Sequence, residues 1–252
     1  MTVVLSAHGV RKTYSGFTAL DDCSFELHAG RTLGVVGESG SGKSTLGRIV
    51  MRLLQPDAGT VELGGTDLFG LRATPLRTAR RRIQLVPQDP RHALNPAMTV
   101  GDNLRFQFAA QRLPRATWTA RTNELLDQVA LTRDYVHAWP YELSGGQAQR
   151  IAIARAIAGR PDVLVCDEAV SALDKSVQAQ VLNTFADLQK EMGVALLFIS
   201  HDLAVIDHIS DDVLVLNRGI TVESGRTRDV LGDPQDAYTR ELLAARSVVG
   251  VP

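Results

Sequence analysis

Residues 37–44 read Gly-Glu-Ser-Gly-Ser-Gly-Lys-Ser, a match to G-x-x-x-x-G-K-[ST]. Gly37, Gly40 and Gly42 let a loop curl until backbone N–H groups converge, with Glu38, Ser39 and Ser41 filling the turn. A helix starting near Thr45 adds its partial positive end, so the loop is a cradle for phosphate. Lys43 can reach β and γ phosphates, and the Ser44 hydroxyl is a ligand suited to Mg²⁺. A plain Gly/Ser turn with an exposed lysine would spell the same letters. The context decides against it, because an apolar strand at 32–36 precedes the loop and a helical pattern at 45–54 follows it.

A second constellation is Val163-Leu164-Val165-Cys166-Asp167-Glu168, an apolar strand ending in two carboxylates. An acid at the C-terminal edge of a parallel sheet stands where ligands of such sheets gather. Asp167 is placed to hold Mg²⁺ and Glu168 to take a proton from an attacking water. Alone, such a pair more often caps a turn. Its company with Lys43 turns it into a candidate site for nucleotide hydrolysis.

The elements that must carry these residues alternate. Short β-branched runs at 32–36, 83–86, 163–166, 195–199 and 213–216 are separated by helical patterns, which predicts an α/β core with a mainly parallel sheet. Strands at 23–27 and 60–63, bounded by Ala29-Gly30 and Gly64-Gly65, predict an additional antiparallel sheet near the N-terminus. Between 89 and 160 the strand signal vanishes, and 100–112, 119–130 and 146–158 are helical, so a helical subdomain is inserted there. The expected division is a nucleotide-binding core at 1–88 and 161–235, the helical subdomain at 89–160 and a short C-terminal helix at 236–247.

Composition sets outer limits. A chain of 252 residues, 44% hydrophobic and 22% charged, has the balance of a soluble globular protein. Net charge is −1, so no global field attracts a polyanion, and nucleic acid is not an expected partner. The arginines Arg77, Arg80, Arg81 and Arg82 lack interleaved aromatics and read as a solvated helix face. Cys23 and Cys166 lack metal-ligand spacing, which fits a reducing compartment. No run approaches the ~20 apolar residues of a membrane span, and the N-terminus carries no signal-peptide pattern, so a role at a membrane would be peripheral.

Leu143-Ser144-Gly145-Gly146-Gln147, followed by a helix and the acidic strand, resembles the signature motif of ABC (ATP-binding cassette) ATPases. Other landmarks of that family follow in order. Tyr14 is placed like its adenine-stacking aromatic, Gln88 matches the Q-loop, Ser171-Ala172-Leu173-Asp174 the D-loop, and His201 the switch histidine. Together they cover about residues 10–205. Stretches such as Gln88-Asp89-Pro90, Leu94-Asn95-Pro96, 176–180 and 237–243 resemble the peptide and nickel importer branch.

The resemblance implies an ATPase with a P-loop core, ATP and Mg²⁺ as ligands, and two subunits facing head to tail. Ser144, Gly145, Gly146 and Gln147 would then act on nucleotide held by a second ATPase subunit, identical or paralogous. Within one subunit Glu168 would polarise water, His201 would orient it and the γ-phosphate, and Gln88 would complete the shell around Mg²⁺ with Ser44 and Asp167. Transmembrane permease subunits, and indirectly a solute-binding protein, would be partners at the cytoplasmic face of the membrane. Two departures stand out: Ala169 replaces the usual proline after the glutamate, and Ala148 replaces the commoner arginine after Gln147. The cysteine cluster that many members of the branch carry near the C-terminus does not appear by Pro252, so no iron–sulfur cluster is expected. The alternatives are an ABC ATPase of DNA repair or translation, which typically carries two cassettes or a long coiled-coil insertion, and a P-loop kinase or switch protein, which has no use for 143–147.

Overall fold

The computed structural model describes residues 2–249. Strands β1 (Val3–Tyr14) and β2 (Phe17–His28) form a hairpin closed by Ser15 at φ 30° and Gly16 at φ 89°. Two successive positive φ angles match the twist of a two-residue hairpin turn, which places Tyr14 opposite Phe17. After β3 (Thr32–Val36) and α1 (Lys43–Val50), β4 (Ala58–Leu63) pairs with β1, and β5 (Thr66–Asp67) completes an antiparallel sheet in the order β2-β1-β4-β5. The antiparallel sheet expected near the N-terminus is present.

The larger sheet holds β3, β6 (Ile83–Val86), β7 (Val163–Asp167), β8 (Ala195–Ile199), β9 (Asp212–Asn217) and β10 (Ile220–Arg226), in the order β10-β9-β3-β8-β7-β6. Every pairing is parallel except β9 with β10. Helix α2 (Ala73–Arg82) leads into β6. Between β6 and β7 run α3 (Pro90–Ala93), α4 (Val100–Gln111), α5 (Trp118–Gln128) and α6 (Gly145–Ile157). Then come α7 (Lys175–Met192), α8 (Leu203–Ile209), α9 (Thr227–Gly232) and α10 (Ala237–Val249).

Continuous apolar strands serve two cores, because alternate side chains leave opposite faces of the sheet. Val35, Val163, Val165, Leu197 and Leu214 join one core with α1 and the antiparallel sheet. Leu164, Cys166, Leu196, Phe198 and Val215 join the other, with α6, α7 and the helices between β6 and β7. There Phe185 of α7 meets Phe198 edge-on, with centroids 5.6 Å apart, a pairing worth ~0.5–1.5 kcal/mol beyond its buried area.

The first helix ends four residues before the predicted limit at 54. Arg52 turns to φ 50°, with Leu53 N–H donating to Arg48 O and Arg52 N–H to Ile49 O. That is a Schellman ending, here without the glycine that normally announces it. Strand β1 escaped the sequence patterns because bulges shift its register on β2 between Ala7 and Val10 and again around Lys12, which breaks strict alternation. The edge strand β10 escaped because it is largely solvated and carries Glu223 and Arg226.

Candidate active site

Four parallel strands bring the candidate residues to one edge of the larger sheet. The phosphate loop leaves β3, Gln88 follows β6, Asp167 ends β7 and Glu168 follows it, and His201 lies just beyond β8. Ligands of open parallel sheets bind beyond these C-terminal ends.

The loop is built as its glycines require. Gly37, Gly40 and Gly42 all have positive φ, and Gly42 at φ 109° is the N-cap of α1, which has no side chain closing its first turn. A Cβ on Gly42 would stand 2.4 Å from Ala19 O, so only glycine lets the loop lie against β2. By contrast α4, α6 and α7 are closed by Thr99, Ser144 and Asp174. The open end of α1 leaves backbone donors facing the loop, the property that makes a helix start an anion site.

Lys43 is 4% exposed and its Nζ donates to Gly37 O at 2.6 Å and Glu38 O at 2.7 Å. Burial lowers its pKa, opposed by the nearby carboxylates of Glu168, Asp167 and Glu38. Asp167 is pushed the other way. Burial raises its pKa first and the charge of Glu168 second, while Arg48 and Lys43 pull it down.

Glu168 sits at the centre of the polar contacts. Its backbone is left-handed at φ 50°, and its N–H donates to Ile199 O at 2.9 Å. For a residue with a Cβ that conformation costs ~1–2 kcal/mol, and such strain gathers at functional sites. The carboxylate is held from two sides: Gln88 Nε2 donates to Oε2 at 3.1 Å, and His201 Nδ1 lies 3.3 Å from Oε1. Gln88 Nε2 also reaches Ser171 Oγ at 3.3 Å, and that hydroxyl donates to Glu168 O at 3.0 Å.

A pocket of about 220 Å³ opens over the loop. Ser39, Gly40, Gly42, Lys43, Ser44 and Thr45 form its floor, Tyr14 and Phe17 stand at one side, and Glu168 closes another. Tyr14 and Phe17 are 41% and 55% exposed, an apolar surface free to stack on a flat ring. Gln88 and His201 reach this pocket through Glu168.

Ser144, Gly145, Gly146, Gln147 and Asp174 line no part of it among the described residues. Ser144 and Gln147 instead close the start of α6 by a reciprocal capping box, leaving Ser144 and Gly145 exposed. Gln147 Nε2 is tied to the Tyr135 hydroxyl at 2.6 Å. Asp174 accepts from Val177 N–H and Ser176 Oγ at the start of α7, which lowers its pKa.

Sequence reasoning passed over Phe17, Ser171 as a partner of Gln88, and Tyr238, whose hydroxyl accepts from Glu38 N–H at 3.0 Å. Only Phe17 had a local signal: Ser15-Gly16 is a hairpin turn, and it sets Phe17 opposite Tyr14. Tyr238 lies 200 residues from the loop that it touches.

A phosphate loop at the strand ends of a parallel sheet, faced by a strained acid, defines a P-loop nucleotide-binding protein. Comparison with known proteins narrows the class. Residues 20–171 match the family model described as ABC transporter. A putative peptide import ATP-binding protein of Brucella ovis is 45% identical over 249 residues, covering 97% of this chain and 78% of that protein. A probable peptide ABC transporter ATP-binding protein of Sinorhizobium fredii is 48% identical, covering 91% of this chain and 65% of the other. The oligopeptide transport ATP-binding protein OppD of Mycobacterium tuberculosis is 44% identical over 94% of this chain, which spans 39% of that longer protein. Among solved structures, an ATP-binding cassette solved as a dimer in a post-hydrolysis state with ADP and Pi superposes with a TM-score of 0.79 at 28% identity, covering 89% and 99% of the two chains. The cbiO1 subunit of a Clostridium perfringens ABC transporter complex superposes with a TM-score of 0.86 at 23% identity, covering 100% and 97%, and supports the fold. The chain belongs to the ABC transporter family.

Proposed function

We propose that this chain is the ATP-hydrolysing subunit of an importer for a small solute, with peptides the favoured class. The observation that carries the hydrolytic reading is Glu168, held at the mouth of the Lys43 pocket by Gln88 and His201. The peptide reading is supported by the names of the relatives. None of these points to DNA repair or translation.

The chain's residues divide the work as follows. Backbone donors of the loop and the open end of α1 hold the β and γ phosphates, and Lys43 balances their charge. Tyr14, with Phe17 beside it, receives the adenine face. Glu168 accepts the proton of an attacking water, His201 holds the carboxylate and the water in line, and Gln88 senses both through the same carboxylate.

Mg²⁺ fits the donor set. Ser44 offers a hydroxyl, Asp167 a carboxylate and Gln88 an amide oxygen, all hard ligands. Groups of three or more His, Cys, Asp or Glu able to hold a metal are absent among the described residues. Phosphate and water would fill the rest of the shell left by the oxygens of Ser44, Asp167 and Gln88. Bound there, Mg²⁺ supplies positive charge to the β and γ phosphates. The neighbouring Glu168 carboxylate adds to the burial that raises the Asp167 pKa, and a cation bound there would favour the ionised acid.

The exposed tip at Ser144 and Gly145 completes the site of a second cassette, identical or paralogous, rather than its own. Helix-start donors would then face the γ-phosphate from the opposite side. The segment 89–160 forms a helical lobe beside the core at 1–88 and 161–235, and permease subunits dock on that lobe near Gln88 at the cytoplasmic face of the membrane. A solute-binding protein delivers the cargo.

Glu168→Gln tests the chemistry. The variant keeps ATP affinity and loses turnover by about 10²–10⁴-fold, the range for removing a general base. Turnover like wild type rejects Glu168 as that base.

A further inference from the structure

The phosphate loop has a partner outside the site described above. Glu38 N–H donates to the Tyr238 hydroxyl at 3.0 Å, while Glu38 O receives Lys43 Nζ at 2.7 Å. The Gly37–Glu38 peptide unit is therefore gripped at both ends, because its carbonyl, Gly37 O, receives Lys43 Nζ at 2.6 Å while its N–H is held by α10. Glu38 does not line the pocket, whereas Ser39, Gly40 and Gly42–Thr45 do. Its N–H points to α10 and does not compete for phosphate.

Helix α10 is itself anchored. Glu223 of β10 accepts from Gln235 N–H at 2.9 Å and Asp236 N–H at 3.2 Å, and Asp236 accepts from Tyr238 N–H at 2.8 Å. Arg240 donates back to Pro234 O and Gln235 O. The half-buried Tyr238 ring and Leu242 pack on the core shared with α6 and α7. A rigid mount carries the hydroxyl to the loop.

We infer that Tyr238 is a positioning residue for nucleotide binding, holding the Glu38 peptide so that the following N–H groups converge on phosphate. The inference rests on the loop at 37–44 being the phosphate cradle. Cradles built from backbone donors depend on prior ordering, because a loop that must be ordered on binding lowers affinity. The effect is on binding in ground and transition states alike, so it belongs in KM rather than kcat.

The test uses the full chain assembled with its membrane subunits. Tyr238→Phe keeps the ring and removes the hydroxyl; the KM for ATP rises about five-fold, the factor that ~1 kcal/mol of a net hydrogen bond represents, with kcat unchanged. In the isolated full chain, the Glu38 amide exchanges with solvent faster in Tyr238→Phe than in wild type. Glu223→Ala, which loosens the mount and leaves the hydroxyl, shifts KM in the same direction. A KM and an exchange rate equal to wild type in Tyr238→Phe overturn the inference, as does a loss confined to kcat. Lys43→Ala separates the two levels: nucleotide affinity unchanged in that variant defeats the cradle itself, while lost affinity there beside a normal Tyr238→Phe defeats only the role of Tyr238.

Discussion

Burial and the adjacent Glu168 carboxylate raise the pKa of Asp167, so its ionised form is disfavoured in the fold. The linkage sign follows from that direction. A carboxyl with a raised folded pKa binds its proton more tightly folded than unfolded, so its ionisation costs stability above the folded pKa and nothing below the unfolded one. Asp167→Asn should therefore raise the melting temperature of the chain without nucleotide at neutral pH. The gain should shrink as pH falls through the raised folded pKa and be gone below the ordinary carboxylate value, while Mg²⁺-dependent hydrolysis is lost. A melting temperature lowered at neutral pH would contradict this. Gly42 is constrained by sterics instead. Its φ of 109°, and the 2.4 Å that would separate an added methyl from Ala19 O, predict that Gly42→Ala costs about 2–4 kcal/mol in denaturant unfolding. Nucleotide binding should fall with it, and a cost under about 0.5 kcal/mol would contradict a forced glycine.

Among the elements, what could be read from sequence was what a short window contains. The strands at 32–36, 83–86 and 195–199 coincide with β3, β6 and β8; β3 and β8 are buried at every position, and the edge strand β6 buries Ile83 and Val86. Helix ends were harder to read. Arg52, Arg112 and Ala130 take the left-handed position after α1, α4 and α5, each with the hydrogen bonds of a Schellman ending and without glycine to mark it. Of the candidate site, the loop and the acidic pair were legible because each follows an apolar strand, while Gln88 and His201 came only from the family resemblance. Phe17 enters through the Ser15-Gly16 hairpin turn that pairs it with Tyr14, and Tyr238 through a contact 200 residues away, which no local window records. Packing also gives Gly146 a second duty. A Cβ there would lie 2.3 Å from Val177 Cγ1, so Gly146→Ala should push the start of α6 away from α7 and lower ATPase activity. Adding Val177→Ala should restore part of that activity. No recovery would mean that the methyl acts on the nucleotide face rather than on the α6–α7 contact.

At the scale of the whole molecule, the proposed function gives the chain half of two sites. The pocket holds the loop, the aromatics and Glu168, while the Ser144 tip is exposed away from it. Among the described residues no helix is long and apolar enough to cross a membrane. Pairing of cassettes is then the central claim, and it is tested most directly by sedimentation of the Glu168→Gln chain, alone and with its companion cassette. The account predicts a dimer with ATP and Mg²⁺, monomers with ADP, and monomers again when Ser144→Arg blocks the α6 tip. Monomers under every condition, or a dimer indifferent to both nucleotide and Ser144, would contradict it.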